Sequence, residues 1–214
     1  MSTTPHPNVH LVEHPLIRVR LTRLRDVATE TPEFRRNLHE IAQLMVYEIT
    51  RGFPVNEIDV QTPLEITVGA EPARPIILVP ILRAGVGMQD GILQILPEAQ
   101  IGHIGMYRCE ETLEPKPYYC NLPDNVGEAE TLLIDPMLAT GCSSIAAAAR
   151  LKEEGAKRIH FICLVSCPEG LQAFVEAHPD IDIYTASIDR KLNEKSYIVP
   201  GLGDAGDRYF GTRS

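Results

Sequence analysis

From Ile76 onward, short continuous apolar runs alternate with segments of helical period, and no other feature of the chain restricts its fold as much. The runs are Ile76 to Ile81, Ile101 to Met106, Thr131 to Ile134, Ile159 to Val165 and Ile181 to Tyr184. The spacing between them predicts helices near Val86 to Leu96, Ser144 to Glu154 and Pro168 to Ala177. Strands without polar alternation are buried on both faces, and helices between them act as crossovers that set neighbouring strands parallel. The fold class is therefore α/β, an open doubly wound parallel sheet. Ligands of such sheets sit at the carboxyl ends of the strands.

One stretch puts chemistry on that edge: TLLIDPMLATGCS, Thr131 to Ser143. Asp135 ends a buried strand, and Ala139-Thr140-Gly141-Cys142-Ser143 supply short side chains before a helix closed by Gly155. Free backbone N–H groups and the positive end of a helix dipole suit an anion in that turn. The Walker pattern is absent, since the turn has no Lys. An ionised Asp135 accepts hydrogen bonds only, which fits the two hydroxyls of a ribose whose 5′-phosphate lies in the turn. Taken alone, the stretch also fits an ordinary βα turn with a capping Ser.

Arg83, in ILRAG, and Arg108, in MYR, stand where strands meet loops on the same rim. Either alone reads as a solvated surface residue; two beside an anion cradle read as phosphate forks. Between them and Asp135, Cys109 to Gly127 has charges, three Pro and the pair Tyr118-Tyr119 but no helical period, and is expected to be an ordered flap or hairpin arm.

The first seventy residues read as structural. Thr31 and Pro32 open a helix, Thr as N-cap, whose apolar face runs through Phe34, Leu38, Ile41, Met45 and Ile49 to Gly52. From Glu57 to Gly69 the period is two, broken at Thr62-Pro63, which predicts two antiparallel edge strands with one wet face. Arg18, Arg20, Arg23 and Arg25 alternate with apolar residues and are expected to solvate an early helix or meet a second subunit rather than bind RNA. A net charge of −9 opposes broad contact with a nucleic-acid backbone. Five Cys without a CxxC pair, a polar opening and no membrane-length apolar run lead us to expect reduced thiols, no membrane partner and a cytoplasmic location. The tail, DRKLNEKSYIVPGLGDAGDRYFGT, is rich in Gly and suits a loop whose backbone grips a flat ligand, although a flexible surface loop is the plainer reading of it alone.

In order and spacing, DPMLATG with a following Ser, ILRAG, YR with ETLEP and PYY, TASID, and YIVPGLGDAGDR with a closing FGT resemble the uracil phosphoribosyltransferase family over nearly the whole chain. The resemblance implies the type I phosphoribosyltransferase fold with an antiparallel flap and a C-terminal hood in a single domain, 1–214. Within it, 1–70 would hold N-terminal helices and edge strands, 71–188 the core sheet with the flap at 109–127, and 189–214 the uracil-binding hood. The implied reaction is uracil plus 5-phospho-α-D-ribose 1-diphosphate giving UMP and diphosphate, with Mg²⁺ bridging substrate oxygens and no dedicated protein cage.

Carried onto this chain, Asp135 takes the ribose hydroxyls. The segment Pro136, Met137, Leu138, Ala139, Thr140, Gly141, Cys142 and Ser143 belongs to the phosphoribosyl diphosphate site, with residues 138 to 143 on the 5′-phosphate. Arg83 and Arg108 hold the diphosphate. Ile198, Gly203, Asp204 and Ala205 read uracil, and Asp204, near the sugar and diphosphate, is the one candidate for catalysis besides Asp135 and Arg83.

Cys142 stands where the family has Gly; Cys tolerates positive φ poorly, so a slightly reshaped cradle is expected. A homodimer or higher homo-oligomer is expected, and GTP is a candidate effector. The competing reading of the same fold is a nucleotide-sensing RNA-binding regulator, which the acidic balance and the uracil-type tail oppose.

Overall fold

The computed structural model describes residues 6–108 and 115–212. The chain opens with strand β1 (Val9–Leu11) and helices α1 (Pro15–Arg25) and α2 (Thr31–Ile49), followed by a hairpin of β2 (Val55–Gln61) and β3 (Ile66–Pro72). The core then alternates: β4 (Ile76–Leu82), α3 (Val86–Leu93), β5 (Gln100–Ile101), β6 (His103–Arg108), β7 (Pro115–Asn121), β8 (Glu130–Ile134), β9 (Met137–Leu138), α4 (Cys142–Glu153), β10 (Arg158–Ser166), α5 (Pro168–Ala177) and β11 (Asp182–Ile188). A short pair, β12 (Lys191–Leu192) and β13 (Ile198–Val199), and helix α6 (Ala205–Phe210) complete it.

The main sheet runs β1-β11-β10-β8-β4-β6-β7, with β5 beside β4 and β9 beside β10. Its pairs are parallel except β6 with β7. The pleat sends alternate residues to two cores. Leu78, Leu132, Ile134, Ile162 and Leu164 face α1, α2, α3 and the C-terminal segment. Ile77, Val79, Leu133, Phe161 and Cys163 face α4 and α5. Burial on both sides is why these strands read as unbroken apolar runs.

The structure revises several details. The run at Ile101 breaks at Gly102 into β5 and β6, and α3 ends at Leu93. Helix α2 already includes Thr31; Glu30 is its N-cap, with no side-chain cap bond. Strand β1 joins the sheet edge beside β11, a pairing too short to show as a period. The strands expected at 57–69 are antiparallel, but they form a sheet of their own off the main one. Neither of its faces is wholly buried: Val55, Ile66 and Val68 on one are 63%, 66% and 63% exposed, and Val60 on the other is 37% exposed. Period two reports strand geometry and not which sheet receives the strand. Of the expected flap, residues 109–114 lie outside the described residues; the remainder includes β7, where Tyr118 packs against Gly105.

Candidate active site

Strand β8 delivers Asp135 to the carboxyl edge. The chain then leans on β10: Asp135 N–H donates to the Ile162 carbonyl at 3.1 Å, and Leu164 N–H to the Pro136 carbonyl at 3.0 Å. Met137 and Leu138 pair with Val165 and Ser166. Ala139, Thr140 and Gly141 turn the chain into α4. The positive φ of this turn, +81°, falls on Gly141 and not on Cys142, which is the first residue of the helix. The reshaping expected from Cys142 therefore has no backbone cause, because the strained position kept its glycine. No side chain caps α4; only Thr140 Oγ1 approaches, 3.5 Å from Cys142 N. Its first amides remain available to an anion.

Two cysteines support this edge from behind. Cys167 Sγ donates to the Ala139 carbonyl at 3.3 Å, and Cys163 is fully buried. Burial pushes the Cys167 thiol up to about 11 and the Cys163 thiol up to about 12, so both are neutral packing groups. Asp135 is perturbed too. Part of it reaches the surface, yet the protein packed around its carboxyl raises the pKa to about 7, against a hydrogen bond from Met137 N–H and with a further push from the Asp204 charge. A strongly perturbed carboxyl on such a rim is a candidate functional group.

Arg83 follows β4, the sheet neighbour of β8. The ILRAG turn presses on the end of β8: a Cβ at Gly85 would lie 2.4 Å from the Ile134 carbonyl oxygen. Only glycine permits this approach, which sets Arg83 beside the strand that carries Asp135. The guanidinium is exposed and lies 5.5 Å from the centre of the Phe210 ring. Arg108 ends β6, the next strand out, with its backbone paired to Pro115; its side chain lies outside the described part of the chain.

The segment after β11 folds over this edge. Ile198 lies in β13 with its side chain buried, and the chain returns through a cis Val199–Pro200 peptide to Gly201. Gly203 is exposed, Asp204 is the N-cap of α6 with Oδ1 accepting from Asp207 N–H at 2.8 Å, and Ala205 is buried. Gly206 approaches Ala84. Asp204 is thus brought to Asp135 and the hood to the ILRAG turn.

The hood is fastened by Arg25, one of the four arginines expected at the surface or against a second subunit. Arg25 donates to both oxygens of Asp189 at 2.6 and 2.7 Å, to the Gly201 carbonyl at 2.7 Å and to Ser187 Oγ at 3.0 Å. Gly201 N–H completes the Asp189 carboxylate at 2.8 Å. Burial would raise Asp189, but the bonds from Arg25, Gly201 and Ser187 outweigh it and hold the carboxyl below its ordinary value. Of the other three arginines, Arg20 pairs with Glu40 and Arg23 with Glu33, while Arg18 stays at the surface as expected.

Residues 11–212 match the family model described as uracil phosphoribosyltransferase. The chain belongs to that family. It is 54% identical over 204 residues to the uracil phosphoribosyltransferase of Ligilactobacillus salivarius, covering 95% of this chain and 98% of the relative. It is 53% identical over 206 residues to that of Dictyoglomus turgidum, covering 96% and 100%. Among solved structures, the AQ2163 protein from Aquifex aeolicus superposes with a TM-score of 0.89 at 34% identity, covering 94% of this chain and 97% of that one. A hypoxanthine phosphoribosyltransferase from Staphylococcus aureus gives a TM-score of 0.54 at 12% identity over 86% and 91%, a likeness of fold alone.

A magnesium ion fits this edge only as a guest of the substrate. Among the described residues no three His, Cys, Asp or Glu side chains cluster as a cage, and the carboxylates on offer are Asp135 and Asp204. One or two carboxylates with phosphate oxygens and waters are the usual magnesium environment.

Proposed function

We infer that this protein transfers the phosphoribosyl group of 5-phospho-α-D-ribose 1-diphosphate to uracil, forming UMP and diphosphate in pyrimidine salvage. The observation behind the reading is the junction of three parts on one sheet edge: an uncapped helix turn at Gly141, the perturbed Asp135 and a hood starting at Ile198. Asp135 takes the ribose 2′ and 3′ hydroxyls, and the amides of residues 138–143 take the 5′-phosphate. Pro136 and Met137 steer the chain between them. Arg83 and Arg108 hold the diphosphate, whose negative charge grows as the anomeric bond breaks, so fixed cations there favour the transition state over the ground state. Mg²⁺, when bound with the substrate, supplies further charge neutralisation at the diphosphate.

Backbone groups of Ile198, Gly203 and Ala205 read the edge of uracil. Asp204 Oδ1 is engaged by Asp207 N–H, which fixes the carboxylate; Asp204 would act near the sugar, the diphosphate and uracil N1. Burying both substrates under the hood orients them and excludes water, and no covalent nucleophile is needed.

The unit proposed is a single cytoplasmic phosphoribosyltransferase domain that forms a homodimer or larger homo-oligomer. Its support is the exposed β2–β3 hairpin, since an isolated two-stranded sheet is marginal without cover. GTP is a candidate effector without an assigned site, and nucleic acid and membrane are not among the proposed partners. No helix among the described residues is long and apolar enough to cross a membrane.

The test is UMP formation from labelled uracil with Mg²⁺, with hypoxanthine, orotate and cytosine as competitors. A site that pairs fixed backbone donors and acceptors should reject the wrong bases by about 10⁴-fold. Comparable turnover of hypoxanthine would refute the base assignment.

A further inference from the structure

The closing residues Phe210, Gly211 and Thr212 belong to the motif run of the tail but touch neither substrate in the proposed reaction. Among the described residues no hydrogen bond or ion pair holds the Arg83 side chain, and the face of Phe210 is what stands beneath its guanidinium. That ring is fixed in turn. Tyr209 meets it edge-on, centroids 5.0 Å apart and planes at 83°. Tyr209 is buried with its ring over Gly87 of α3, its hydroxyl is 3.2 Å from His39 Nε2, and its carbonyl accepts from Arg35 Nε at 2.7 Å. Beyond the ring, Gly211 and Thr212 donate backbone N–H groups to the Asp207 carbonyl, and Thr212 Oγ1 donates to Asp207 Oδ1 at 2.6 Å. Both ends of the aromatic pair are therefore anchored, one on α2 and α3, the other on the closing turn of α6.

We propose that Phe210 is a positioning residue for the leaving group: its ring holds the Arg83 guanidinium in the attitude that meets the diphosphate. The inference rests on the reading of Arg83 as a diphosphate ligand. An arginine on a long stem loses rotamer freedom when it binds, and a ring that already orients the fork reduces that loss without touching substrate. The attraction of a cation for an aromatic face at an exposed site corresponds to about a twofold to fivefold effect on kcat/KM for phosphoribosyl diphosphate. The KM for uracil should stay unchanged.

Three enzymes test this against wild type: Phe210→Leu, Phe210→Tyr, and Phe210 replaced by trifluorophenylalanine, which keeps the shape and drains the π face. Each is assayed with Arg83 intact and with Arg83→Ala. The Leu and trifluoro enzymes should lose that factor through KM for phosphoribosyl diphosphate, the Tyr enzyme should match wild type, and no difference should remain once Arg83 is gone. A trifluoro enzyme equal to wild type, or a Leu penalty of the same size without Arg83, overturns the positioning role while leaving the diphosphate reading intact. An Arg83→Ala enzyme with undiminished kcat/KM overturns that reading and this inference together.

Discussion

The Asp135 carboxyl is pushed up to about 7, chiefly by burial and with no cation described beside it. Its folded pKa of about 7 lies above the ordinary 3.8, so the fold favours the neutral form. The stability contributed by that proton is complete below about pH 4 and is lost as the pH rises through 7. Ligand binding then has use for the ionised form that folding disfavours. Asp135→Asn should accordingly stabilise the ligand-free protein at pH 8 by about 2 to 4 kcal/mol, with melting temperatures converging near pH 4. The same substitution should lower kcat/KM for phosphoribosyl diphosphate by about 10- to 100-fold, because charged acceptors make the stronger hydrogen bonds to hydroxyls. Thermal melts at the two pH values decide it: equal stabilities at pH 8 would show that the carboxylate is not disfavoured by its surroundings.

At the scale of elements, the hood depends on α1 as much as on its own glycines. Asp189 keeps a side chain only 4% exposed, and Arg25 supplies its fork and also grips the Gly201 carbonyl. Removing the arginine leaves a buried carboxylate without its cation, so Arg25→Ala should cost about 3 kcal/mol or more in urea unfolding. It should also raise the KM for uracil with less effect on that for phosphoribosyl diphosphate, since the cradle at α4 does not lean on Arg25. Arg25→Lys keeps charge without the fork and should fall between. An Arg25→Ala enzyme with unaltered uracil KM would uncouple α1 from base binding. Nothing near Arg25 in the sequence announces this, because its partner is 164 residues away. The turn before α4 was readable because it is made by local backbone and small side chains. The core strands were readable because two-sided burial leaves them no polar alternation. Features set by tertiary placement were not: the independence of the β2–β3 hairpin, the three-residue β1, and the glycine that takes the positive φ one position before Cys142.

For the whole molecule, a net charge of −9 leaves the β2–β3 hairpin as an unusual surface, with Ile66, Val68 and Leu64 at 66%, 63% and 94% exposure. Wild-type protein is expected to sediment as a dimer or larger species, and Ile66→Glu with Val68→Glu should shift it toward the 23.7 kDa monomer. Sedimentation velocity at matched concentrations checks this; an unchanged mass in the double variant would move the interface elsewhere. The hood has another consequence, in time rather than space. Arg208 of α6 donates to the carbonyls of Leu24 and Asp26 and lies 4.5 Å from the centre of the Phe34 ring, so a late segment covers helices made near the start. At about 5 to 20 residues per second, roughly ten to forty seconds of translation separate the two. Throughout that interval α1 and α2 wait on the ribosome with part of their apolar face uncovered, open to chaperones and to proteases. A nascent chain stopped short of residue 208 lacks the bonds by which Arg208 ties this late segment to the end of α1.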